Sequence, residues 1–169
     1  FRRVLFRSMD GRDRNLVARM MNARDILGES NLLKSIHDHV MQWFPDEACG
    51  LLIEGPEGAS VELAENLADK YHKLDPETYP RTGRTSYLLD PMLLANVERR
   101  GARVVAIFHS HVRVGAYFSD DDVAQAMSPF YDGPMYPAIE YVVMDAQEEG
   151  VQGHKVFSWN ADVKEFQET

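Results

Sequence analysis

Two histidines one residue apart close an apolar run, and a serine and an aspartate follow at set distances. The segment reads Val104-Val105-Ala106-Ile107-Phe108-His109-Ser110-His111, with Ser119 and Asp122 beyond it. The run is rich in β-branched residues, the pattern of a buried strand. On a strand, residues i and i+2 share a face, so both imidazoles can converge on one point while Ser110 points away. Ser119, three residues before Asp122 and just ahead of Val123-Ala124-Gln125-Ala126-Met127, reads as the first turn of a helix. A strand end with two histidines and a helix start with a carboxylate can supply three ligands, the usual protein complement of a catalytic zinc. A plainer alternative stands beside this: a His-x-His pair completing a polar network, and Ser119 with Asp120, Asp121 and Asp122 capping a helix and complementing its dipole.

The spacing His-x-His-x7-Ser-x-x-Asp resembles the signature of the JAMM, or MPN-plus, zinc metallopeptidases of the JAB-domain family, and no position of it is missing. The resemblance reaches upstream to Glu47 in Glu47-Ala48-Cys49-Gly50-Leu51-Leu52, similar to that family's glutamate-bearing strand, and takes in Asn66, Tyr87 and Leu89-Asp90-Pro91. It covers roughly residues 30 to 160, as in a bacterial-type single-domain member.

The resemblance implies one catalytic zinc ion (Zn2+) on His109, His111 and Asp122, with Glu47 as general base and Ser119 as oxyanion donor. The bland reading of Glu47 is a surface carboxylate after a Pro-Asp turn. The implied reaction is hydrolysis of an amide or isopeptide bond at the C-terminal tail of a ubiquitin-like or sulfur-carrier protein. Such a tail is extended and is expected to add to a sheet edge near the metal, between walls at 69–85 and 112–118. Many relatives carry proline directly after the second histidine and before the serine; Val112 and Phe118 stand there, so the rim and its substrate preference are expected to differ. Two other classes stay open: a non-catalytic MPN-type scaffold, whose members usually lose ligands, and a RadC-like DNA-associated protein. The second is disfavoured by charge. Residues 1–24 hold seven arginines against Asp10 and Asp13, a net of +5, which leaves −14 for the rest. The expected partners therefore include no nucleic acid. No apolar run approaches the roughly 20 residues that cross a bilayer, so no membrane partner is expected. A single cysteine fits a cytoplasmic setting, and the oligomeric state stays open.

Length suits one domain. Residues 1–24 are expected to form a basic N-terminal extension, disordered or in part non-native, ahead of a metallopeptidase domain at 25–169. Asn31 to Phe44 repeats apolar residues at three and four, reading as an amphipathic helix with Ser30 as N-cap and Pro45 as its stop. On it, His37 and His39 splay apart and are read as surface. Ala48 to Glu54 and Val61 to Ala68 read as a hairpin, Asp69 to Thr85 as a long loop, and Asp90-Pro91 as the N-cap and first residue of a helix ending at Gly101. Ser128 to Ala138 is another loop, and Ile139–Asp145 and Val151–Trp159 are a final strand pair. Cys49, mid-strand, reads as a small buried hydrophobe. The order αββαβαββ gives an α/β (α+β) fold, a mixed β-sheet flanked by helices. The resemblance implies a cytidine-deaminase-like JAMM/MPN layout.

Overall fold

Strand β3 (Arg103–Val112) carries the apolar run and both histidines in one element and lies inside a six-stranded sheet. The coordinates are a computed structural model, and they describe residues 19–169. In chain order the elements are α1 (Ala23–Leu27), α2 (Ser30–Trp43), β1 (Cys49–Gly55), β2 (Gly58–Ala64), α3 (Ala68–Leu74), α4 (Leu93–Arg99), β3, α5 (Asp120–Ala126), β4 (Glu140–Gln147), β5 (Gly150–Asn160) and β6 (Glu165–Glu168). The strands order as β2-β1-β3-β4-β5-β6. Only β3 and β4 run parallel, since the connection through α5 carries the chain back before β4 begins; every other pair is antiparallel. The architecture is thus the expected mixed sheet with helices.

Alternation along the central strands divides the core into two layers. Ala106 and Phe108 on β3, with Leu52, Val142 and Met144, pack under α1 and α2. Ile107 on β3, with Leu51, Val143, Tyr141 and Phe157, packs with Val97 of α4 and Ala126 of α5. Each Val, Leu, Ile, Phe or Met among them taken fully out of water contributes roughly 1.5–3 kcal/mol. His109 and His111 have the parity of Ile107, so they emerge on the α5 side of the sheet.

Gly50 is where the first layer is tightest. A Cβ there would fall on the Glu62 carbonyl oxygen and 2.5 Å from Phe108 Cε1. A backbone atom and a packed ring cannot both move aside, so Gly50→Ala is expected to cost about 1–3 kcal/mol or more. Urea unfolding of the two proteins measures it; an unchanged midpoint would contradict the packing described.

Several sequence expectations are corrected. The loop expected at 69–85 contains α3, whose seven residues bury only Ala68 and so carry almost no periodic signal. The strand expected to run to Ala68 ends at Ala64. The helix expected to open at Asp90-Pro91 begins at Leu93 with Met92, not Asp90, at its N-cap position; Asp90 Oδ1 accepts from the Met92 N–H at 2.8 Å in the turn before it. Glu29, not Ser30, holds the N-cap position of α2. His39 is buried rather than at the surface: its Nε2 lies 3.2 Å from the carbonyls of Cys49 and Ala64, and its ring meets Phe108 edge-on. Helix α1 and strand β6, of five and four residues, were too short to read. Of the stretch 1–24, residues 1–18 fall outside the described residues. Ala23 is fully buried, and its N–H donates to Glu140 Oε2 at 2.6 Å. Among the described residues no helix is long and apolar enough to cross a membrane.

Candidate metal centre and its cleft

Three donor groups from two elements meet behind the loop that joins β3 to α5. His109 Nε2 and His111 Nε2 are 3.2 Å apart; Asp122 Oδ1 lies 3.1 Å from the first and Asp122 Oδ2 3.2 Å from the second. All three residues are buried. Ligand atoms 2.0–2.1 Å from a tetrahedral centre stand about 3.3–3.4 Å apart. The two nitrogens stand at nearly that distance from each other, and each stands so from a different oxygen of Asp122; two imidazole nitrogens with a carboxylate are a zinc-type donor set. The residues fit a metal ion.

Local structure explains why they meet. Strand alternation aims the two histidines together, and Tyr87 stacks on the His109 ring at 4.4 Å between centroids, 18° from parallel. Ser119 is the N-cap of α5: its Oγ accepts from the Asp122 N–H at 3.2 Å, and Asp122 Oδ2 accepts from the Ser119 N–H at 2.8 Å. The Ser119 hydroxyl also donates to Asp122 Oδ2 at 2.6 Å. The capping and metal readings of this serine and aspartate are therefore one arrangement, in which the cap orients the carboxylate toward the histidines.

Electrostatics shift the three groups unequally. Burial alone would raise Asp122, but hydrogen bonds from His109 and His111, the charge of His109 and the Ser119 hydroxyl outweigh it and hold the carboxyl far below the usual range. Burial keeps His109 below its ordinary value against the pull of Asp122. At the less enclosed His111 burial is outweighed by the Asp122 hydrogen bond, the charges of Asp122 and Glu47 and the Gly115 backbone, and its pKa rises.

Glu47 stands just ahead of β1, buried, and lines one cleft of about 190 Å³ with His111 and Ser119. The backbone around it is tied on three sides. Its N–H donates to the Gly83 carbonyl at 2.6 Å, its carbonyl accepts from Asn66 Nδ2 at 2.9 Å, and the next N–H, of Ala48, donates to Ser110 Oγ at 2.9 Å. Asn66 spends its whole amide here, donating also to the Ser86 carbonyl and accepting from Ala68 and Leu88. The surface reading of Glu47 is excluded. Burial pushes its carboxyl up to about 8, with His111 pulling down, Asp122 pushing up and Arg81 pulling down. Cys49 is buried, its thiol pushed up to about 12 by burial and the Glu47 charge, which makes it inert.

The raised Glu47 value has a signed consequence for metal-stripped protein. An acid whose folded pKa exceeds its unfolded one adds stability that is complete below about 4.5 and is lost as pH rises toward 8. Glu47→Gln is therefore expected to gain on the wild type between pH 5 and 8.5 in chelator, by on the order of a few kcal/mol. Paired melting curves across that range check it; a constant gap would contradict it.

The cleft walls are the two connections expected from sequence: Arg81, Arg84 and Thr85 on one side, Val112, Val114 and Tyr117 on the other. The expected sheet edge is corrected. The histidines lie on β3, paired to β1 and β4, whereas the edges are β2 and β6. Arg81 and Arg84 were not singled out in the sequence. Their signal was two arginines within four residues in a body otherwise dominated by acids.

The family described as prokaryotic homologs of the JAB domain matches residues 29–161. No curated protein matches the chain. Among solved structures, a Desulfitobacterium hafniense protein is similar at 20% identity and TM-score 0.58, covering 83% of this chain and 86% of its own. A Salinibacter ruber protein is similar at 22% identity and TM-score 0.53, with coverage of 83% and 86%. At these identities the likeness speaks to the fold.

Proposed function

Because the chain belongs to the family of prokaryotic homologs of the JAB domain, we propose that it is a zinc-dependent hydrolase of amide or isopeptide bonds at the C-terminal tail of a ubiquitin-like or sulfur-carrier protein, working in the cytoplasm. The observation that carries this reading is the triangle of His109, His111 and Asp122 donors with Glu47 in the adjoining cleft. His109, His111 and Asp122 would hold the ion and would leave it a position for water. The chemistry that zinc supplies there is Lewis-acid: polarisation of the scissile carbonyl and acidification of a water.

The chain's own residues do the rest. Glu47 accepts a proton from the attacking water and returns it to the departing amine. Its backbone ties hold it in place while its protonation changes, and its raised pKa would fall beside a cation held by the three donors. Ser119 turns its hydroxyl from Asp122 to the oxygen that becomes negative as the carbonyl turns tetrahedral; losing such a donor costs about a hundredfold or more in rate. Of the three donors, His111 lines the cleft, beside Tyr117, whose ring stands edge-on to it at 4.9 Å. The tail is held between the two loop walls.

The test is release of a C-terminal adduct from small ubiquitin-like and sulfur-carrier proteins, followed by mass spectrometry. Cleavage that chelator stops and zinc restores is expected. Protein that binds no zinc, with every adduct intact, would favour the scaffold class instead.

A further inference from the structure

Tyr117, Phe118 and Ser119 face alternate ways at the entry to α5. Tyr117 and Ser119 line the cleft, whereas Phe118 turns inward and joins the core layer that α4 and α5 cover. Its ring stacks on Phe157 at 5.3 Å between centroids, 25° from parallel, and lies tilted against Tyr141 at 5.1 Å and Phe166 at 4.9 Å. Phe166 is the one residue of β6 that is not exposed. It also meets Tyr141 and Trp159 edge-on, at 5.4 and 5.2 Å. Aromatic pairs in these arrangements attract each other beyond the area that they bury.

The start of α5 has few other apolar holds. The connection from β3 turns through positive φ at Arg113 and Gly115 and exposes Val114 and Tyr117. Helix α5 has seven residues and buries only Asp122 and Ala126, and a helix so short does not hold itself in water. The ion pair of Arg81 with Asp121 is half exposed, and such pairs add little. The three bonds between Ser119 and Asp122 fix the carboxylate relative to the serine, not relative to the histidines on β3. The serine in turn follows Phe118, one peptide bond away, and the rings around Phe118 stand on β4, β5 and β6 of the same sheet.

Resting on the metal centre of the reading above, we infer that Phe118 and Phe166 are positioning residues for it. Strand β6 holds Phe118, Phe118 holds the Ser119 cap, and the cap holds Asp122 against the two histidines. Strand β6 is thereby part of the site's support, although none of its residues lines the cleft. Removal of either ring leaves room into which the cap can shift, and metal ligation tolerates displacements of only about 0.2 Å.

The experiment uses the full chain and zinc alone, titrated against a competing chelator well below every melting temperature. The variants are Phe118→Ala, Phe166→Ala, their combination, Phe166→Leu, and Val97→Ala as a cavity elsewhere in the same layer. Val97→Ala is expected to melt lower yet to bind zinc within about twofold of the wild type. Each ring-to-alanine variant is expected to bind zinc about ten- to a hundredfold more weakly, the loss typical when a ligand's support is removed. Because Phe166 acts through Phe118, the combination is expected to match Phe118→Ala alone, and Phe166→Leu to recover most of the affinity. In metal-stripped protein the Asp122 amide, which donates to Ser119 Oγ, is expected to exchange with deuterium about tenfold or more faster in both ring variants and at the wild-type rate in Val97→Ala. Phe166→Ala, on an edge strand, decides the case if Phe118→Ala does not fold. Wild-type affinity in Phe166→Ala, an equal loss in Val97→Ala, or losses that multiply in the combination would overturn the inference. If the wild type binds no zinc while the exchange pattern holds, the anchor stands and the metal reading falls. Asp122 exchange that does not separate Phe166→Ala from Val97→Ala overturns the anchor itself.

Discussion

Glu47→Gln is expected to keep the zinc content of the wild type and to lower amide hydrolysis by about a hundredfold to ten-thousandfold, the span typical of a lost general acid–base group. The substitution preserves shape and burial and removes only the ability to take up and return a proton. The backbone ties to Gly83, Asn66 and Ser110 do not involve the side chain, so the glutamine stays where the glutamate stood. The carboxylate is not one of the three groups whose atoms converge on the metal position, so metal retention is part of the expectation. Elemental analysis of the purified variant gives the first quantity and release of a C-terminal adduct the second. Undiminished turnover removes Glu47 as the base, while loss of zinc together with activity would make it a ligand.

His109→Ala is expected to lose both zinc and activity. His109 is fully buried between Tyr87 and the other two donors, so water cannot easily replace it as a ligand. Its removal leaves His111 and Asp122, two of the three donors grouped there among the described residues. Asp122 also loses one of the hydrogen bonds that hold its carboxyl low, and its pKa should rise toward the ordinary range. Added zinc stabilises a protein that binds it only when folded. The wild type should therefore melt higher in zinc than in chelator, and the variant at the same temperature in both. A His109→Ala protein that still binds one equivalent of zinc would contradict the site.

What sequence spacing can carry is set by chain geometry. The period of two in β3 and the first turn of α5 are local, so the convergence of His109 with His111 and the capping of Asp122 by Ser119 were legible before any tertiary contact was known. The hairpin, helix α2 and the buried character of Cys49 followed from the same short-range rules. Segments whose order comes from elsewhere were not legible. Helix α3 buries one side chain, β6 offers only Phe166 to the core, and His39 reads as surface until β1 and β2 supply its carbonyl partners.

The candidate site divides along the same line. The ligand set and the helix cap belong to one run of fourteen residues, because a strand, a short loop and a helix start impose their own geometry. That Glu47, sixty residues earlier, stands in the same cleft was decided by the antiparallel pairing of β1 with β3 and by the ties of Glu47 to Gly83 and Asn66. That Arg81 and Arg84 flank it was decided by the path of an irregular connection, which has no period to read. Backbone periodicity acts over a few residues, whereas the meeting of distant side chains depends on strand order and buried hydrogen bonds that exist only in the folded chain.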